Sequence, residues 1–100
     1  MNAQLSPELS MSLGSVNTPR VQEIIRELSE HGLAVAMPHI HEREVVKPLP
    51  ADLVQYENDL KVSFRDRETF ERTREAAFPV MWRFNKDTGQ TEPCAWCHDT

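Results

Sequence analysis

The chain has 100 residues, 39% of them hydrophobic and 27% charged, which suits one small globular domain and excludes a disordered, charge-dominated polymer. Acidic residues outnumber basic ones 16 to 11, a net charge of −5 with neutral histidines. With no excess of Lys and Arg to displace counterions, no nucleic acid is expected as partner, and no stretch approaches the roughly 18 apolar residues of a membrane span.

Residues 1–17 (MNAQLSPELSMSLGSVN) are rich in Ser, Asn and small side chains, so they read as a flexible N-terminal tail. The spacing of Leu5, Leu9 and Leu13 allows a short docking helix instead. The segment carries neither a basic cluster nor an apolar run of seven, so a secretory signal is not expected. Two cysteines without an export signal fit a reducing, cytoplasmic setting.

Thr18-Pro19 has the form of an N-cap followed by proline in the first turn. Val21, Ile24, Ile25 and Leu28 follow at helical spacing, and Gly32 supplies a left-handed stop. The reading is an amphipathic helix from about 19 to 31. Leu33–Met37 is a short apolar run expected as a strand, with Pro38 suited to an edge or bulge. Lys47–Pro50 reads as an extended connector. Asp52–Tyr56 and Leu60–Arg65 flank Asn58-Asp59 as a hairpin, with Leu60, Val62 and Phe64 on one face.

Asp66–Ala77 has helix-forming residues, an Asp cap and i,i+4 ion pairs, but little apolar content, as in a surface helix. Val80, Trp82 and Phe84 alternate with Met81 and Arg83 as a half-buried strand, with Trp82 directed to the core. Asp87-Thr88-Gly89 turns the chain, and Gln90–Trp96 returns. Residues 18–100 thus form a single α+β domain: a small, mostly antiparallel sheet of four to five strands, packed with one amphipathic N-terminal helix and a second surface helix.

Two clusters can carry chemistry. Cys94-Ala95-Trp96-Cys97-His98 holds two thiols that converge on one ion if the chain turns between them. In His39-Ile40-His41, an extended backbone puts both imidazoles on one face. His39, His41, Cys94 and Cys97 make a donor set of two nitrogens and two sulfurs, which fits a tetrahedral structural Zn²⁺ joining distant segments, with His98 as a substitute ligand. The bland reading is an ordinary pair of thiols and solvated loop histidines beside the charged run Glu42-Arg43-Glu44.

Cys94–His98 also spell the C-x-x-C-H pattern to which c-type haem attaches. No helical cage and no export signal accompany it. Nor do the two residues after His98 leave room for the helix that a thioredoxin-like dithiol opens. His39-x-His41 with Glu42 or Glu44 nearby resembles the first metal motif of the cupin barrels, which implies a metal-dependent enzyme using His39 and His41. Gly32 lies seven residues before His39, and Val45 or Val46 stands where that motif has its carboxylate. The glycines Gly14, Gly32 and Gly89 stand alone, without a phosphate-binding fingerprint.

The functional expectation is a small binding or interaction protein without catalytic residues of its own, carrying a structural zinc site at the His and Cys pairs. The alternatives are the cupin-like enzyme and a metal-free interaction module. In the last, a protein partner or a second copy docks on edge strands or on the leucines of the tail.

Overall fold

The structure is a computed structural model that describes residues 4–73 and 76–99. The chain divides into two compact units, Met1–Pro48 and Leu49–Thr100. The division falls within the span read from sequence as one domain, at the proline-bounded segment 48–50.

The first unit opens with β1 (Gln4–Leu5) and α1 (Pro7–Val16), within the segment read from sequence as a tail; positions 1–3 lie outside the described residues. Ser6 caps α1, its hydroxyl accepting from the Leu9 amide at 3.3 Å, and Leu9 is buried. β1 pairs in parallel with β3 (Val45–Pro48), which also pairs antiparallel with β2 (His39–Glu42). The sheet order is β1-β3-β2, leaving β2 as an edge. Arg43 turns the β2–β3 hairpin at φ 58°, and Lys47 pairs with Glu42 across it.

Helix α2 (Pro19–Ser29) lies where the cap and proline place it, the Thr18 hydroxyl accepting from the Val21 amide. Beyond it Gly32 adopts φ 75°, and the Leu33 amide bonds back to the Leu28 carbonyl at 3.1 Å, the left-handed stop expected of glycine. No residue of α2 is buried, so its apolar stripe is not absorbed into a core. The strand expected over Leu33–Met37 does not form. That run has no ladder partner, and Leu33 and Val35 are exposed. The strand begins one residue after Pro38 instead, where β3 supplies the hydrogen bonds.

The second unit is a ββαββ arrangement: β4 (Leu53–Asn58), β5 (Lys61–Asp66), α3 (Arg67–Thr73), β6 (Ala77–Asn85) and β7 (Gln90–His98). The order is β5-β4-β7-β6, with two antiparallel hairpins joined by a parallel β4–β7 pair at the centre. Both sheets are therefore mixed, three- and four-stranded, where the sequence reading had one mostly antiparallel sheet; periodicity detects strands but carries no information on their non-local partners.

The expected hairpins form. Asp59 takes φ 57° in the first turn and Gly89 φ 72° in the second. Of the helix read over Asp66–Ala77, Arg67–Thr73 is helical, positions 74–75 lie outside the described residues, and Ala77 begins β6. Asp66 caps α3, its carboxylate accepting from the Thr69 amide at 3.0 Å and hydroxyl at 2.9 Å; these bonds hold its pKa below the ordinary value.

Helix α3 covers one face of this sheet. Phe70 packs with Val54 and Trp96, and Tyr56 and Ala77 complete the cluster. The rings of Phe70 and Trp96 stand 5.7 Å apart, those of Phe70 and Tyr56 5.4 Å. Arg83 anchors the incoming loop by donating to the carbonyls of Leu49, Pro50 and Leu53 at 2.6–3.1 Å. At the β6–β7 turn, Glu92 accepts from Asn85 and Thr88, both at 3.1 Å, and from Arg67 at the start of α3. The Asn85 bond leads in keeping the Glu92 carboxyl below its ordinary pKa.

Candidate functional site

The two sequence motifs belong to different units. In the first, β2 holds His39 and His41 on one face, both exposed, with ring centroids 5.4 Å apart. His39 Nδ1 lies 2.8 Å from the Met37 carbonyl. A carbonyl can only accept, so Nδ1 carries the proton and Nε2 keeps its lone pair free for a ligand. Glu42, the nearest carboxylate of the motif, is engaged by Lys47, which lowers its pKa through their hydrogen bond.

In the second unit the C-x-x-C pair does not turn between its cysteines. Both lie within β7, three residues apart, and strand alternation sends them to opposite faces. Cys94 shares the helix-covered face with Trp96 and His98, where Tyr56 Oη and His98 Nδ1 stand 2.9 Å apart. Cys97 lies on the other face, paired with Phe78 and Glu57. Cys94 is 1% exposed, and burial pushes its thiol pKa up, partly opposed by the Arg83 charge. A ligand reaching both sulfurs requires β7 to leave the sheet. Among the described residues no group of three or more His, Cys, Asp or Glu side chains gathers as a metal ion requires.

The face of the four-stranded sheet away from α3 carries the largest feature that sequence reading missed. Along β6, the exposed residues are Phe78 (47%), Val80 (42%), Trp82 (47%) and Phe84 (61%). An irregularity at Met81↔Ala95 interrupts the ladder, but the pairs on either side of it, Phe78↔Cys97 and Trp82↔Pro93, share one register. Burial nevertheless alternates without a break along β6, so all four side chains belong to the exposed set. At the far edge, Val62 (53%) and Phe64 (37%) of β5 line the same face, opposite Glu57 and Gln55 of β4. Between the two apolar rows run Gln55, whose amide donates to Glu57 at 3.2 Å, with Ala95 and Cys97.

Trp82 thus lies on the open face, and the core tryptophan is Trp96. The alternation of β6 was legible, but it divides residues into two sets without saying which is covered. Docking of Phe70 against Trp96 and Ala77 makes the small side chains Ala77 and Pro79 the inner set and leaves the aromatics outside. The open face can act chemically as a surface for apolar burial. No helix among the described residues is long and apolar enough to cross a membrane. No protein-family model, curated protein or solved structure matches the chain.

Proposed function

We propose that this chain is a protein-interaction module that pairs with a second copy of itself through the open face of its four-stranded sheet. The observation that carries this reading is the row Phe78, Val80, Trp82 and Phe84 on one face of β6, with Val62 and Phe64 at the opposite edge. Taking ~150–250 Å² for a whole aromatic side chain, the exposed fractions leave about 500 Å² of apolar surface on the six residues. That falls in the upper part of the roughly 300–600 Å² of a monomer's largest patch, which is often functional, and here it lies on one sheet face. Two such faces bury about 1,000 Å² before any rim is added, the lower bound for a specific interface.

The layout is self-complementary. A two-fold axis parallel to the strands sets β6 of one copy over β5 of the other, so apolar rows meet at both flanks. The strip of Gln55, Glu57, Ala95 and Cys97 faces its own counterpart in the middle. The product is two sheets packed face to face, the common solution for a sheet with one uncovered apolar side. The two cysteines support a reducing, cytoplasmic setting for this work, since sulfurs on opposite faces of a strand cannot close an internal disulfide.

Sedimentation velocity tests the proposal. The intact chain should sediment as a dimer, and Trp82→Ser with Phe84→Ser should weaken dimerisation by at least about a hundredfold without changing the far-UV spectrum. Met11→Ser, at an exposed residue of α1 in the first unit, should leave the dimer intact. A chain that stays monomeric up to millimolar concentration, or a double variant that remains dimeric, overturns the reading.

A further inference from the structure

We infer that His39 and His41 form a two-point binding site for a late first-row divalent transition-metal ion on the edge strand β2, independent of the thiols and of the sheet face above. Three observations converge. Both side chains are exposed on one face of β2. The Met37 carbonyl fixes the His39 proton on Nδ1 at 2.8 Å, so Nε2 keeps its lone pair for a ligand without a tautomeric change. The rings already stand at a chelating distance.

A metal–nitrogen bond of about 2.0–2.1 Å, with about 1.1 Å from nitrogen to ring centre, puts each centroid about 3.2 Å from a shared ion. Two rings at the tetrahedral angle are then about 5.2 Å apart, and at a right angle about 4.5 Å. The observed centroid separation is 5.4 Å, close to the tetrahedral value.

The chemistry of the donors sets the class of ligand. Two neutral imidazoles suit Zn²⁺, Ni²⁺ and Cu²⁺, and affinity rises toward Cu²⁺ in the usual order. They offer nothing to Mg²⁺ or Ca²⁺, which take oxygen. Cross-strand neighbours of the pair are Val46 and Pro48, which bring no donor, and Glu42 is held by Lys47. The remaining coordination positions therefore belong to water or to a donor from another molecule. The ion sits on the surface and exchanges readily, in contrast to a closed four-ligand structural site.

Nickel titration of the full, untagged chain, followed by calorimetry and by paramagnetic broadening of the histidine ring protons, tests the inference; Ni²⁺ is chosen because free thiols reduce Cu²⁺. One equivalent should bind, with broadening centred on His39 and His41. His39→Ala and His41→Ala should each weaken binding by at least about tenfold, as expected when a chelate becomes a single imidazole. Both positions are exposed, so the variants keep the fold, which the amide spectrum verifies. His31→Ala and Cys97→Ser should leave the affinity unchanged. Binding that survives loss of both histidines, that follows His31 or Cys97 instead, or that is no stronger than the single-histidine variants show, overturns the inference. Because dimerisation is read separately by sedimentation, failure here is distinct from failure of the proposed interface.

Discussion

Replacing Phe70 with alanine should unfold the Leu49–Thr100 unit far more readily than any change on its open face. Phe70 is the buried residue of α3, 6% exposed, and its ring joins the helix to Val54 and Trp96. A phenylalanine side chain removes ~150–250 Å² from water when buried. At ~25 cal/mol per Å² the whole buried side chain is worth about 4–6 kcal/mol; alanine retains part of this, and with the cavity left beside Trp96 the net loss falls in the usual ~3–5 kcal/mol range. A hundred-residue chain commonly has ~5–15 kcal/mol in all, so the loss is a large fraction of what holds the unit together. Urea titration, followed by far-UV dichroism and tryptophan fluorescence, measures it, since Trp96 reports directly on the site. Leu60→Ala, at a fully exposed turn residue, should change stability by less than about 0.5 kcal/mol. A Phe70→Ala loss below about 1 kcal/mol would refute the reasoning, because α3 would then not be the cover of this core.

The thiols should separate by face. In the native protein at low concentration Cys97 should react with a disulfide reagent promptly, whereas Cys94, buried and with its pKa raised, should react only on opening of β7; equal rates would contradict the strand geometry. Raising the protein concentration should slow Cys97 if the open face is the interface. Acid should weaken the second unit through Asp66 and Glu92, whose folded pKa values lie below their ordinary ones. Their stabilisation is complete above the ordinary carboxylate range and is lost as pH falls through the folded values. Melting temperature should therefore fall below about pH 4, and Glu92→Gln should flatten that fall; an unchanged pH profile in the variant would remove Glu92 from the account.

Much of the local structure was legible because its causes are local. Thr18-Pro19 and Gly32 bracket α2, Asn58-Asp59 and Gly89 mark the two hairpin turns, and the Asp66 carboxylate caps α3. What was not legible depends on distant partners. β2 starts at His39 rather than Leu33 because β3 lies alongside it. Ser6 caps α1 within a segment whose composition resembles a tail. Trp82, expected in the core, lies outside and Trp96 lies inside because α3 covers one face and leaves the other. The same limit applied to the motifs. His39 and His41 are brought together by strand periodicity alone, which the spacing already implied. Cys94 and Cys97 needed a turn between them, and the pairing of β7 with both β4 and β6 replaces that turn with a strand.

The parallel central pair has a consequence for the path by which the second unit folds. Its two hairpins close short loops and can form early, but the seam between them joins Gln55–Glu57 to Ala95–Cys97, segments separated by much of the unit's length. Bringing them together costs loop-closure entropy that no local contact offsets. Until that seam closes, β4 and β7 each present an unpaired edge, and the aromatic row of β6 adjoins one of them. The slow step of folding and the interval of greatest exposure to misassociation are then the same event, and Ala95, fully buried at the seam, stands where a bulkier side chain would prolong it.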